Sequence, residues 1–408
     1  MNKNTIGSGN QEDSNNQTLQ LRMRKDFHRR LLRGHEWIFS NEIDNVAELT
    51  QQSNSAKLVK VTNHRGEFLA WATYNPRSLI AARILSRTES FDFNADWMFV
   101  RLQAALRLRD EMYTQPFYRW VFGESDQLPG LVIDRFANIL VVQILTAGML
   151  ALADRLWESL RRFDFVQGIV VQHGGRYSEL EGMPSARFTI GEPPNEIEIV
   201  EGNARFLVPL MEGQKTGWFF DQRENRERLG RFGHLGHVLD LFAYTGAWAI
   251  QAMLQGAQSA TCVERSIQAI EVAARNAQLN RVQLETIEGE VLPVAKSFFG
   301  QREFRTIILD PPALVKRKKD FQSGLQMYYQ LNRIAMRLMT NEGWFITCSC
   351  SYHMPREKLI EIVQHAAQEC NKRCQILEIR GQSADHPLHP AMPETEYLKA
   401  IFTYVSPA

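Results

Sequence analysis

The sequence predicts an α/β protein whose C-terminal part is a doubly wound, mostly parallel sheet of seven strands. The apolar runs His237–Phe242 and Ser259–Val263 flank a turn at Gly246 and a helix-forming run, as at the start of a nucleotide-binding α/β unit. The last apolar run, Tyr397–Val405, follows a Pro-containing link rather than a crossover helix, so we expect an antiparallel strand. The other strands are expected at Leu284–Glu288, Arg305–Leu309, Trp344–Cys348 and Gln375–Ile379, with helices at Ala247–Gln255, Ile267–Leu279, Gln322–Met339 and Pro355–Glu369.

Two smaller domains are expected before this sheet, behind a polar tail. Short alternating runs at Leu58–Val61, Phe68–Tyr74 and Ile80–Leu85 predict a small β-barrel. Further on, helical patterns at 91–112 and Leu150–Phe163 alternate with strand patterns at Leu131–Arg135, Ile139–Leu145 and Gly168–Gln172, which predicts a β/α middle domain. We therefore divide the chain into a disordered tail at 1–18, a β-barrel at 19–92, a middle domain at 93–195, and a C-terminal domain with a leading hairpin at 196–408.

Composition excludes several classes of protein. The net charge is +1, so any contact with nucleic acid would have to come from local basic patches. The five cysteines form no C-x-x-C pairs, so we expect neither a metal site nor a disulfide framework, and a reduced, cytoplasmic setting fits. No stretch is apolar for the roughly 18 residues that a membrane span needs, and the N-terminus lacks a signal-peptide core.

The first α/β unit indicates a ligand with a ribose. Glu264 ends its second strand, where a carboxylate can accept hydrogen bonds from both ribose hydroxyls. The turn contains only Gly246, whereas the dinucleotide fingerprint has three glycines that cradle a pyrophosphate. S-adenosylmethionine is therefore favoured over a nicotinamide dinucleotide, which is the open alternative.

Two later strands end on or beside residues that could take part in a chemical reaction. One ends on Asp310, followed by two prolines, and the next ends at Cys348, with Cys350 two residues beyond. Methylation of pyrimidine C5 would use a carboxylic acid, a thiolate and a methyl sulfonium, because C5 becomes nucleophilic only after a thiolate adds to C6. The alternative is that Asp310 merely ends a strand and that Cys350 is a buried, inert thiol.

Basic residues cluster in two segments. Residues 22–35 include Arg29, Arg30 and Arg33 between apolar positions, and Lys316-Arg317-Lys318-Lys319 follows the Asp310 motif. Such runs are often solvated faces, but both could bind RNA phosphates.

As a set, several motifs resemble the ribosomal large-subunit RNA (cytosine-5) methyltransferase I family. They are Gln-Lys-Thr-Gly-Trp-Phe-Phe-Asp-Gln-Arg at 214–223, Phe-Ala-Tyr-Thr-Gly-Ala at 242–247, Asp-Pro-Pro at 310–312, Ser-Cys-Ser at 349–351 and Ala-Asp-His-Pro at 384–387. Residues 33–40 similarly resemble the opening of RNA-binding PUA domains. The resemblance covers about residues 19–405. It implies a PUA-like domain, a class I (Rossmann-like) methyltransferase domain, and formation of 5-methylcytosine in large-subunit (23S) ribosomal RNA.

The resemblance also implies residue roles. Cys350 would be the nucleophile, Asp310 the acid that binds the base, Glu264 the ribose ligand and Glu290 the ligand of the adenine amino group. The cofactor set implied for S-adenosylmethionine comprises Lys215, Asp221, Arg223, Asp240, Phe242, Tyr244, Thr245, Gly246, Glu264, Arg265, Glu290, Asp310 and Pro311.

Three positions depart from the family pattern. Asp240 stands where Asn can occur, Ala313 where Lys is common, and Cys348 where an apolar residue is usual. Ala313 also excludes the helper cysteine that many RNA cytosine-5 methyltransferases place there. Two alternatives stay open: methylation of another base, such as guanine, with Cys350 structural, and a non-catalytic RNA-binding assembly factor. The expected partner is ribosomal RNA rather than a membrane, and a homodimer is also open.

Overall fold

The computed structural model describes residues 19–175, 178–211 and 216–408, so the tail predicted at 1–18 lies outside the described residues. Three sheets follow one another along the chain: two five-stranded sheets and, after a two-stranded hairpin, a seven-stranded sheet. No helix within the described ranges is both long enough and apolar enough to cross a bilayer.

The N-terminal sheet has the order β1-β3-β4-β5-β2. Its elements are β1 (Leu19–Arg22), α1 (His28–Leu32), β2 (Trp37–Ile38), α2 (Val46–Gln52), β3 (Lys57–Thr62), β4 (Phe68–Tyr74) and β5 (Ala82–Ser86). Alternate residues of β3 and β4, such as Val59, Val61, Ala70 and Ala72, are buried, as the period-2 pattern predicts. The basic segment after β1 forms only the short helix α1, in which Leu31 is buried, Arg30 is half-buried and Arg29 is exposed.

The middle sheet has the order β10-β9-β8-β7-β6 and packs against helices. Its elements are α3 (Ala95–Met112), β6 (Phe117–Phe122), β7 (Leu131–Phe136), β8 (Ile139–Ile144), α4 (Ala147–Leu150), α5 (Ala153–Leu160), β9 (Gly168–His173), α6 (Ser178–Glu181) and β10 (Ala186–Gly191). β7 and β8 form the expected hairpin. β6 and β10 were not predicted; β10 is an edge strand whose residues are nearly all exposed, so it lacks an apolar signal.

The C-terminal sheet has the order β15-β14-β13-β16-β17-β19-β18. Its elements, with the leading hairpin, are β11 (Glu196–Glu201), β12 (Ala204–Pro209), α7 (Arg223–Glu227), β13 (His237–Leu241), α8 (Ala247–Leu254), β14 (Ser259–Glu264), α9 (Ile267–Leu279), β15 (Glu285–Glu288), α10 (Val291–Ser297), β16 (Phe304–Leu309), α11 (Phe321–Arg337), β17 (Met339–Ser349), α12 (Arg356–Glu369), β18 (Lys372–Arg380) and β19 (Lys399–Pro407).

The predicted architecture of this sheet is confirmed. β19 runs antiparallel to both of its neighbours, β17 and β18, while the other pairs are parallel. The strand order reverses between β13 and β16, and ligands of such sheets bind beside this point, at the carboxyl ends of the strands.

The segment between β18 and β19, residues 381–398, touches all three parts of the chain; we call it the β18–β19 link. Asp385 Oδ2 accepts a hydrogen bond from the Arg119 backbone N–H at 2.8 Å, and Arg109 Nη2 donates to the Asp385 carbonyl at 2.9 Å, both from the middle domain. From the N-terminal domain, the Glu36 N–H donates to Met392 Sδ at 3.3 Å. The β18–β19 link therefore joins the seven-stranded sheet to both the N-terminal and the middle domain.

Candidate active site

The turn between β13 and α8 is built from left-handed backbone conformations. Phe242, Tyr244 and Gly246 have φ values of 65°, 48° and 78°. The positive φ favours glycine at position 246, and a Cβ atom there would also lie only 3.1 Å from the Cβ of Ala273 in α9, a tight contact. The turn thereby brings the N-terminus of α8 to the carboxyl edge of the sheet.

Glu264 organises the neighbouring strand end. Its Oε2 accepts from the Tyr244 N–H at 3.0 Å, and its Oε1 accepts from the N–H groups of Arg265 and Ser266 at 2.8 and 3.0 Å. The carboxylate is half-buried and ties the β13–α8 turn to the start of α9. Arg265 and Glu290 lie outside it on the surface, 3.5 Å apart.

Two buried polar atoms beneath the turn have no hydrogen-bond partner in the described ranges. They are Oδ1 of Asp240 and Oγ1 of Thr245. The other oxygen of Asp240 accepts from the Ala249 N–H at 3.2 Å. Burial raises the pKa of Asp240 to about 8, and the nearby Asp310 carboxylate adds to this effect. Unsatisfied polar atoms beside an organised carboxylate fit a polar small-molecule ligand better than a packed core.

Asp240→Asn is expected to make stability less dependent on pH. The folded-state pKa of about 8 exceeds the ordinary 3.8, so the folded state keeps a proton that the unfolded state loses. The wild-type chain should therefore lose stability as pH rises from about 4 to 8, and the variant should not. Urea unfolding from pH 5 to 8 should show a gap of a few kcal/mol opening in favour of the variant. A gap that stays constant over this range would contradict the expectation.

Asp310 follows β16 directly and is held through one oxygen. Its Oδ2 accepts from Gln222 Nε2 at 2.9 Å and from Trp248 Nε1 at 3.1 Å, whereas Oδ1 has no hydrogen bond to any residue in the described ranges. Asn225 donates to Gln222 Oε1 at 2.8 Å, which orients the Gln222 amide as a donor toward Asp310. Burial raises the pKa of Asp310 to about 6, although the Trp248 hydrogen bond opposes the shift.

The two cysteines at the end of β17 lie in different environments. Cys348 is fully buried within the strand, and burial raises the pKa of its thiol well above the ordinary range. Cys350 comes directly after the strand, is half-buried, and has its Sγ 3.9 Å from the carbonyl oxygen of Pro311. The strand end thus separates an inert thiol from one that solvent can reach, next to the Asp310 motif.

Several polar residues support the Cys350 turn from below. The Tyr328 hydroxyl donates to Ser349 Oγ at 2.9 Å and lies 3.2 Å from Ser351 Oγ. Lys399 Nζ donates to the Ser351 carbonyl at 2.9 Å. The Tyr397 hydroxyl donates to Asp221 Oδ2 at 2.5 Å. Tyr328, Tyr397, Lys399 and the Asp310 partner Trp248 were not predicted, because no motif marks them and distant segments bring them together.

The remaining residues of the predicted cofactor set are dispersed. Lys215 lies outside the described residues. Arg223 bridges two domains: its guanidinium stacks over the ring of Tyr113 at 4.5 Å and donates to the Phe117 carbonyl, both in the middle domain. It also stacks over Phe220 at 4.9 Å and lies 4.0 Å from Glu201 in the C-terminal domain. Phe242 and Pro311 lie at the ends of the central strands, beside Asp240 and Asp310.

The two basic segments differ in the extent to which other protein groups already bind their charged side chains. Arg30 donates to both oxygens of Glu42 at 2.9 Å and to the Trp37 carbonyl, which is a structural arrangement, and Arg29 pairs with Asp26 at 2.8 Å. Arg33 is exposed. Lys316, Arg317, Lys318 and Lys319 are all exposed beyond the carboxyl end of β16, with Arg317 3.4 Å from Asp320.

Comparisons with known proteins agree with this arrangement. Residues 21–87 match a family described as a PUA-like domain, and residues 163–382 match a family described as S-adenosylmethionine-dependent methyltransferase. The ribosomal RNA large subunit methyltransferase I of Escherichia coli is 32% identical over 393 residues, which cover 94% of this chain and 98% of that protein. Its counterpart from Cronobacter sakazakii is 32% identical, with 95% of this chain and 100% of that protein covered.

A similar fold occurs in a crystal structure of a protein assigned as a methyltransferase and complexed with SAH. The TM-score is 0.82 at 19% identity, and the match covers 95% of this chain and 100% of the other. At this identity the likeness concerns the fold.

Proposed function

The chain belongs to the ribosomal RNA large subunit methyltransferase I family of S-adenosylmethionine-dependent methyltransferases, and from this premise we propose that it methylates C5 of a cytosine in large-subunit ribosomal RNA. The observation that carries the cytosine assignment is that Asp310 and Cys350 follow the ends of the neighbouring strands β16 and β17. Asp310 presents Oδ1, which has no hydrogen-bond partner in the described ranges, and Cys350 presents a half-buried thiol.

Each group has a role in this reaction. The Cys350 thiolate adds to C6 and pushes the electron pair of the C5=C6 bond toward C5. A bound cofactor would supply a methyl group on a sulfonium; C5 would bond to this methyl as the methyl–sulfonium bond breaks, and the demethylated thioether would be the leaving group. A base, which a water molecule could provide, then takes the C5 proton, the electrons restore the C5=C6 bond, and the thiolate leaves. Every bond formed to sulfur is thus broken again within one turnover.

The two hydrogen bonds that Asp310 Oδ2 accepts indicate which oxygen of this carboxyl group would bind the base. Because Gln222 and Trp248 both donate to Oδ2, a proton on this carboxyl group belongs on Oδ1. A protonated Oδ1 donates to an acceptor, and N3 of cytosine is an acceptor, whereas N3 of uracil carries a proton. With a pKa of about 6, the acid form of Asp310 is accessible near neutral pH. The two hydrogen bonds that Asp310 Oδ2 accepts therefore support cytosine as the target.

The test is to map 5-methylcytosine in large-subunit ribosomal RNA from cells with and without this protein. One cytosine should lack its methyl group in cells without the protein and regain it with the intact gene but not with Cys350→Ala. Loss of a methylguanine instead would assign the chain to another base and Cys350 to a structural role. No change in any modified base would favour an assembly factor.

Glu264→Ala is expected to weaken cofactor binding. If the carboxylate binds the ribose, the variant loses up to two charge-assisted hydrogen bonds, each of about 1.5–3 kcal/mol. Calorimetry with S-adenosylmethionine should show the loss, and NAD should not bind to either protein. Glu288→Ala, which removes an exposed acid at the end of the adjacent strand, is the control. Equal affinity of Glu264→Ala and wild type would remove Glu264 from the site.

The exposed basic cluster at 316–319 is expected to bind RNA phosphates. Lys318→Glu with Lys319→Glu should weaken RNA binding and reduce the log–log salt slope by about 0.7–0.9 for each lost contact. The control is Lys296→Glu with Arg337→Glu, which changes charge equally in the last turns of α10 and α11, at the opposite edge of the sheet. If both double variants bind RNA alike, the cluster is a solvated face.

A further inference from the structure

Lys399, the first residue of β19, is a buried cation directly beneath the Cys350 turn. Lys399 is only 6% exposed. Nζ donates to the Ser351 carbonyl at 2.9 Å and to the Tyr397 carbonyl at 3.1 Å. In the β17–β19 register, Lys399 lies opposite Ser349. The ammonium group therefore holds the backbone on the far side of Cys350 while its strand pairs with the near side.

This cation forms no ion pair with a carboxylate in the described part of the chain. Its two acceptors are neutral carbonyl groups. Glu396 is 2.7 Å from Arg356, and the Asp310 carboxylate accepts from Gln222 and Trp248. Burying an ammonium group without a counter-charge is costly, so a negative charge that forms nearby is stabilised.

We propose that Lys399 is a positioning residue that holds the Cys350 turn and stabilises the thiolate of Cys350 by its charge. This inference rests on the proposed function, in which Cys350 attacks as a thiolate. Lys399 keeps its proton throughout, and the thiol proton passes to solvent before the attack. Cys350 is adjacent to Ser351, so the charge on Nζ acts across one residue of backbone rather than through a hydrogen bond to sulfur.

The electrostatic surroundings are consistent with this role. Burial lowers the pKa of Lys399, and Glu396 and a negative charge on Cys350 both raise it. Such coupling is reciprocal: a thiolate that favours the protonated lysine is favoured by it. Among the described residues, the other titratable or charged groups around the lysine and the thiol include Tyr328, Tyr397, Asp221, Asp310, Cys348, Arg356 and Glu357.

The test measures the reactivity of Cys350 in the full chain without RNA. Iodoacetamide alkylation is followed against pH, and mass spectrometry reads each cysteine separately. Lys399→Gln keeps a donor for the two carbonyls but removes the charge, and Lys399→Met removes both. Lys399→Arg keeps the charge. Cys370, a half-buried thiol near the amino end of β18, is the internal reference.

The alkylation midpoint of Cys350 should move upward by about one to three pH units in Lys399→Gln and Lys399→Met, and stay near wild type in Lys399→Arg. The midpoint of Cys370 should not change. An unchanged Cys350 midpoint in folded Lys399→Gln would overturn the proposal, since hydrogen bonding alone would then explain the lysine. A profile that shifts while Cys350→Ala still methylates RNA would instead refute the proposed function and leave this electrostatic coupling standing.

Discussion

Cys350→Ala is expected to abolish methyl transfer while Cys348→Ala keeps most of it. Cys350 is half-buried beyond the strand end, whereas Cys348 is fully buried within β17. Loss of the nucleophile should lower the rate by about four orders of magnitude or more. Cys348→Ala removes one buried sulfur atom and should cost about 1–2 kcal/mol of stability. Transfer of labelled methyl groups to large-subunit ribosomal RNA measures the activities, and urea unfolding measures the stabilities.

A substrate with 5-fluorocytosine distinguishes the two thiols directly. Fluorine at C5 blocks the proton loss that releases the thiolate, so a covalent adduct should accumulate on Cys350. The target base must leave its stack to reach a thiol at the edge of the sheet, so a single-stranded or flipped cytosine should react best. An adduct on Cys348 would make that thiol the nucleophile, whereas full activity of Cys350→Ala with no adduct on either thiol would favour guanine as the target.

Arg226→Met is expected to have the largest effect on stability. Arg226 Nε and Nη2 donate to the two oxygens of Glu201 at 2.6 Å, and both side chains are 3% exposed. Removing the arginine would leave the buried carboxylate with only the more distant Arg223, whose Nε is 4.0 Å from Glu201 Oε2, at a cost of about 3–5 kcal/mol. Urea unfolding of the full chain without cofactor measures the loss.

The matched control is the double variant Arg226→Met with Glu201→Gln. The glutamine keeps an acceptor for Trp218 Nε1, which donates to Glu201 Oε2 at 3.1 Å, and removes the stranded charge. We expect this variant to recover much of the lost stability. If Arg226→Met alone unfolds within about 1 kcal/mol of wild type, the pair contributes as little as an exposed ion pair does.

The inner strands of the C-terminal sheet were predictable because they are buried and therefore appear as apolar runs, whereas the residues of the edge strands β15 and β18 are exposed or half-buried. The antiparallel direction of β19 followed from the link before it, which has no crossover helix, but the insertion of β19 between β17 and β18 did not. That insertion brings Lys399 beneath the Cys350 turn. A strand's direction depends on the local connection, whereas its place in the sheet depends on packing across the whole domain.

For the predicted site residues, too, the sequence indicated what depends on local patterns and missed what depends on contacts between distant segments. The sequence placed Cys348 inside the strand and Cys350 beyond it, since strand ends follow apolar patterns. It did not separate Arg30, which Glu42 and a carbonyl group hold, from Arg33, which is exposed. A run of arginines looks alike whether or not distant acids neutralise it. The roles of the individual cofactor and RNA residues stay predictions.

The β18–β19 link makes the methyltransferase part a poor candidate for an independent module. Asp385 is fully buried and has hydrogen bonds to Tyr113, the Arg119 backbone and the Arg109 side chain of the middle domain, besides one to its neighbour His386. The same link contains Tyr397 and leads directly into Lys399. A fragment starting at residue 196 would expose this segment, although β19 would keep its pairing with β17 and β18. The chain should therefore melt in one cooperative transition, and amides of the link should exchange with solvent only when all three domains open.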